Sequence, residues 1–182
     1  MITHTQRGVI RGAAAGFVVS VLALVSAIAL APPALLPAVG ADLSVATALG
    51  HALGWSTLPL ACLALSVGSL ARHRFFSPED IDGGGLSSGT PRARILQSIL
   101  QNTLEQSVLA VVTYLAWAAV QPIQWQAAIP TAAMLFVIGR VAFRVGYAKG
   151  APARSLGFAL TFYPTVLMLF AVLVTLGGRI LS

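Results

Sequence analysis

The sequence predicts an all-α integral membrane protein, and three observations carry that prediction. Of its 182 residues, 57% are hydrophobic and only 9% are charged. The mean hydropathy is +0.87, and the apolar residues gather in blocks long enough to cross a bilayer core, which takes about 20 residues per helix. Only helices and closed barrels satisfy every backbone group in lipid, and these blocks lack the period-two alternation of a barrel strand, so helices are expected.

The first expected span runs from about Gly12 to Ala31, behind Arg7 and Arg11. Those arginines and "AIALA" resemble a secretory signal, but the apolar run is longer than a usual h-region and ends in Pro32 and Pro33, so a retained helix is expected. "APPALLPAVGAD" separates it from the second span, about Thr47 to Leu70. Cys62 within this span is the single cysteine; it has no disulfide partner and no second sulfur ligand, and reads as a packing residue. "FSPEDIDGGGLSSGTP" leads to the third span, about Ile95 to Val120, and "QPIQWQ" makes a short reversal into the fourth, about Ala127 to Val145. After "KGAPAR" comes the fifth, about Leu156 to Leu176, where Pro164 predicts a local kink. Trp55, Trp117 and Trp125 are expected as interfacial anchors, and "RHRFF" as a stretch held near anionic headgroups.

Charge placement gives the topology. Ten of the eleven Lys and Arg residues precede span one or flank the loops after spans two and four, leaving Arg179 alone on the other side. The positive-inside rule then predicts a cytoplasmic N-terminus, with five crossings carrying the C-terminus outside; a bacterial inner membrane is the expected location. The net charge of +6 is thereby explained by topology, so no nucleic-acid partner is expected. His4, His51 and His73 are scattered, which argues against a metal, and "GGGLSSG" lacks the strand and helix that a phosphate loop needs. A proton-coupled carrier relaying through Glu105 is disfavoured because five spans show no repeat of two halves.

The third span carries a polar stripe. At 100° per residue Arg94, Gln97, Ser98, Gln101, Asn102 and Glu105 fall within an arc of about 140°. A carboxylate at bilayer depth costs roughly 2.5 to 3.5 kcal/mol, so Glu105 should face the bundle interior with a partner. Arg140 is the expected partner: counted from Arg94 and Lys149, the two lie at depths of about 16 and 14 Å. On the fourth helix Arg140, Phe143, Arg144 and Tyr147 share a face. Two readings remain open: polar groups that glue helices together, or a charged crevice for an anionic ligand lined by Arg140, Arg144 and Arg154.

"NTLE" on one helix, followed by "RVAFRVGYAKGAPARSLGF" at the end of the next, resembles the MAPEG superfamily, the membrane-associated proteins in eicosanoid and glutathione metabolism. The resemblance implies a MAPEG-like four-helix bundle over about 47–176 within a membrane domain of 47–182, with residues 1–46 supplying an extra N-terminal transmembrane helix and loop. It also implies a homotrimer that binds glutathione between subunits, in a crevice open to the cytoplasm, and acts on lipophilic small molecules arriving through membrane lipid. Residue by residue, Asn102 and Glu105 match the pair that holds the tripeptide, and Arg140 and Tyr147 match the Arg and Tyr of the next helix. Arg154 matches the arginine proposed to stabilise the thiolate, a catalytic role. Two positions depart from the pattern: Ser98 stands where the family usually has arginine, and Phe143 where tyrosine is common. Arg94 or Arg144 would then have to replace the missing cation. A noncatalytic membrane protein that binds lipid or serves assembly is the alternative these departures favour.

Overall fold

A computed structural model describes residues 2–37, 44–84, 86 and 88–181. It contains five long helices: α1 (His4–Leu30), α2 (Val45–Phe75), α3 (Pro91–Val120), α4 (Ala128–Tyr147) and α5 (Ala151–Leu181). All five are long and apolar enough to span a membrane. Each expected span lies largely within one of them, and four overrun the expected bounds by a turn or more because polar caps sit outside the apolar blocks. Thr3 and Gln6 close a capping box on α1, and the Ser44 and Thr90 hydroxyls accept from Thr47 and Ala93 backbone N–H groups at the starts of α2 and α3. Part of the stretch between the first two spans lies outside the described residues. Pro164 is buried within α5, which continues unbroken from Ala151 to Leu181, and α2 likewise runs through Pro59.

Helices α3, α4 and α5 form the centre, with α2 packed on α3 and α4 and α1 packed along α5. The core between them is built from Tyr114, Ile129, Phe136 and Met168. Lipid gives no hydrophobic drive for one helix to meet another, so close packing of small residues has to supply the attraction. The spacing of Gly8, Gly12 and Gly16 puts three glycines on one face of α1, against Pro152, Ser155 and Ala159 of α5. Both series ascend together, so α1 and α5 are parallel, as two odd-numbered crossings must be. Between α4 and α5 the series run oppositely: Gly139 meets Gly157 and Thr161, and Gly146 meets Ala153.

The α3–α4 reversal is fixed by side chains. Trp117 Nε1 donates to the Trp125 carbonyl at 3.1 Å, and Gln126 Nε2 to the Gln121 carbonyl at 3.1 Å. Trp117 is 2% exposed, so it is a core residue that locks the turn and not the interfacial anchor expected from sequence. At the opposite end, Asp80 folds the α2–α3 loop around itself. It is 1% exposed and accepts from Thr90 N (2.8 Å), Thr90 Oγ1 (2.7 Å), Ser77 Oγ (2.9 Å) and His73 Nε2 (3.0 Å).

The Thr90 hydroxyl and backbone N–H, with Ser77 and His73, hold the Asp80 carboxyl at about 2, against the opposing effect of burial. The folded value lies below the unfolded one of 3.8, so this stabilisation is present above about pH 4 and is lost as pH falls towards 2. Limited proteolysis of the loop at graded pH should show protection failing over that window. Asp80→Asn should expose the loop at neutral pH, and equal protection in both proteins would refute the pin.

Candidate functional site

Arg140 lies at mid-length in the bundle and is 6% exposed. Its Nη1 donates to Asn102 Oδ1 at 2.8 Å and its Nη2 to Thr161 Oγ1 at 2.6 Å. The guanidinium carbon stands 4.5 Å from the centre of the Phe143 ring and 5.7 Å from that of Phe136. Thr161 in turn donates to the Phe158 carbonyl at 2.8 Å, which fixes its acceptor lone pairs towards the arginine. The buried cation is therefore held by one amide, one hydroxyl and two aromatic faces, while its Nε has no partner.

Glu105 does not pair with Arg140 within the chain. Its side chain is exposed, and it accepts from Gln101 Nε2, one turn back on the same helix, at 2.9 Å. The depth count paired Arg140 with Glu105, whereas the guanidinium meets Asn102, about one turn nearer the start of α3. Asn102 points at α4, and Glu105, three residues on, is turned about 60° away and one step deeper. The polar stripe is real, but only its Asn102 edge faces inward.

Arg140 also settles how Asn102 is oriented. A guanidinium offers donors only, so Asn102 must present its oxygen to Arg140, and its NH2 group is left for the other side. On that side Asn102 lines a pocket of about 430 Å³ together with Phe143, Tyr147 and Arg154. Val9 and Ala13 of α1 form one wall and Phe158 and Tyr163 of α5 another. The short α4–α5 turn, with Gly150 at φ 99°, brings Arg154 back over Tyr147, its guanidinium carbon 4.3 Å from the ring centre. Phe143 meets Tyr147 edge-on, with ring centroids 5.3 Å apart.

The structure thus gathers Asn102, Tyr147 and Arg154 in one pocket, with Arg140 directly behind Asn102. The remaining sequence candidates lie elsewhere. Arg144 turns to α2, where its Nη2 donates to Ser69 Oγ at 2.9 Å. Ser98 opens to a different hollow, beside Arg74, Arg94 and Gln97. Neither Arg94 nor Arg144 lines the Arg154 pocket, so within the chain neither stands in for the arginine absent at Ser98.

Sequence reasoning missed three contributors. Thr161 shares Arg140, but a threonine inside an apolar helix gives no sign of its partner. Phe143 counted as a neighbour of Arg140 on one helix face and as a departure from a pattern, whereas its ring face carries the buried cation. Helix α1 appeared as an addition, whereas it walls the pocket; the fourfold spacing of Gly8, Gly12 and Gly16 was the signal that it docks closely.

The model of the MAPEG family matches residues 47–174, which take in all but the first two residues of α2, all of α3 and α4 and most of α5, and leave α1 outside. No curated protein and no solved structure matches the chain.

Proposed function

The chain belongs to the MAPEG family, and from that premise we propose that the Asn102–Tyr147–Arg154 pocket binds glutathione or a related anionic thiol. The thiol is conjugated to, or used to reduce, lipophilic electrophiles that enter from the bilayer, a transferase or peroxidase activity. One observation carries the reading: a cation and an oriented amide line the same pocket, whose remaining lining is largely apolar apart from Ser155 and the tyrosine hydroxyls. Its volume of about 430 Å³ falls in the ordinary range for small-molecule sites.

The residues present fit such a ligand in distinct roles. The NH2 of Asn102 donates to a carboxylate or carbonyl, and Arg140 holds it in that attitude without touching the ligand. When bound, the thiol supplies the sulfur nucleophile. Arg154 lies close enough to the pocket to favour the thiolate, and the Tyr147 ring beneath it restricts the rotation of its long side chain. Phe143, Phe158 and Ala13 exclude water and present an apolar surface to the electrophile. The reading includes a homotrimer in a bacterial cell membrane with the N-terminus cytoplasmic. A reporter fused at Gly84 should accordingly score as cytoplasmic; an external signal would reverse the accessible side.

Noncatalytic binding is the competing reading, favoured by the charge of the site: among the described residues Arg154 is the only cation lining the pocket. Calorimetric titration of the purified protein with glutathione decides between them. The native protein should bind, and Asn102→Ala should weaken binding by about tenfold, the low end for losing a hydrogen bond to a charged group. Ser98→Arg should change affinity by no more than about twofold, as expected for a surface change away from the pocket. A folded native protein that takes up no glutathione at millimolar concentration would leave the noncatalytic reading standing.

A further inference from the structure

On the far side of Arg140 from the Arg154 pocket, the ends of α2, α3 and α4 enclose a hollow of about 640 Å³ carrying Arg72, Arg92 and Arg144. Glu79 is the one acid on its lining, and His73 there is already engaged by Asp80. Among the described residues no carboxylate makes an ion pair with any of the three arginines. The hollow does not end at the helix termini. Ser69 and Arg144, joined by their 2.9 Å hydrogen bond, also line a second groove of about 250 Å³ among α2, α3 and α4, whose lining includes Leu65, Ile99 and Val141 and also Arg140. Beside the mouth, Phe75 and Phe76 are 72% and 73% exposed and meet edge-on at 5.0 Å.

Two linked spaces, one cationic at the level where a membrane helix ends and one largely apolar leading inward, match the two ends of a single amphiphile. We propose that they form a binding site for an anionic phospholipid, with its phosphodiester held by Arg72, Arg92 and Arg144 and one acyl chain laid along Leu65, Ile99 and Val141. Guanidinium forks suit phosphate oxygens, and a headgroup placed here satisfies arginines that lack a carboxylate. The exposed Phe75–Phe76 pair adds apolar surface beside the cationic mouth. The site uses none of Asn102, Tyr147 or Arg154; Arg140, which holds Asn102, also lies on the lining of the inner groove, so the variants below leave Arg140 unchanged and lipid binding is read separately from thiol binding.

The test is a titration of the full chain in neutral detergent with fluorescent dioleoylphosphatidylglycerol, against dioleoylphosphatidylcholine, dihexanoylphosphatidylglycerol and inorganic phosphate. The anionic long-chain lipid should bind at least tenfold tighter than the zwitterionic one. Arg72→Gln with Arg92→Gln should weaken it roughly thirtyfold, since each cation near a membrane surface contributes about a fivefold factor. Lysines at the same two positions should preserve most of the binding, which separates loss of charge from loss of fold. Arg7→Gln with Arg11→Gln removes equal charge outside the hollow and should change affinity less than about twofold. Leu65→Trp should penalise the long-chain lipid and spare the short-chain one. An equal loss from the Arg7 and Arg11 variant overturns the site in favour of diffuse charge attraction. Displacement by millimolar phosphate, with no preference for chain length, overturns the lipid in favour of a free anion.

Discussion

Gly157→Ala is expected to force α4 and α5 apart and to destabilise the bundle by about 3 kcal/mol or more. A Cβ at this position would run into the Phe143 backbone nitrogen and stand 2.7 Å from the Gly139 carbonyl oxygen. Both obstacles are main chain, so no rotamer change can relieve them and the helices themselves must move. Gly177→Ala and Gly178→Ala are the matched controls, since nothing lies within 4 Å of an added Cβ at either. They should be neutral within about 0.5 kcal/mol or gain slightly from the better helix propensity of alanine. Reversible unfolding in mixed micelles gives the comparison. Should all three substitutions behave alike, backbone contact between α4 and α5 is not what holds this pair together. The effect should also reach the pocket, because Tyr147 and Arg154 face each other across the same two helices.

Removing the Arg154 cation should produce the largest functional loss. An opposite charge within about 4 to 6 Å of an ionisable group moves its pKa by roughly 1 to 3 units, so Arg154→Ala should cut the bound thiolate fraction by about 10- to 1,000-fold at pH below the lowered pKa of the bound thiol, and by less above it. Asn102 remains oriented by Arg140 in that variant, so glutathione should still bind, weakened but measurable. The ultraviolet thiolate band reports the first quantity and calorimetry the second. Arg154→Lys should restore only part of the band, because an ammonium keeps the charge but loses the planar stack on Tyr147. Unchanged thiolate in Arg154→Ala would remove Arg154 from any catalytic role and leave it a surface cation packed on a ring.

Membrane class, the five helices and their order were legible from the residues alone. Each of these depends on one-dimensional quantities: the length of an apolar block, the Pro and Gly that punctuate it, and the cations at its ends. The sequence also marked out the two helices that carry the polar stripes, because an amide or a cation inside an apolar run is conspicuous without any partner. Rise per residue placed Glu105 and Arg140 at similar depths, but depth alone did not identify Asn102 as the residue the guanidinium meets. What only the tertiary structure decided is which side chains meet. The Arg140 guanidinium goes to Asn102 and Thr161, Glu105 turns to Gln101, and Arg144 turns to Ser69. These pairings depend on the rotation of each helix about its axis. That rotation is set by where backbones approach most closely, at Gly12 against Ser155, Gly139 against Thr161 and Gly157 against Phe143. A hydropathy pattern cannot fix it, because in lipid the outward face is as apolar as the inward one. The azimuth is chosen instead by the fit of small residues between helices, which no single helix contains.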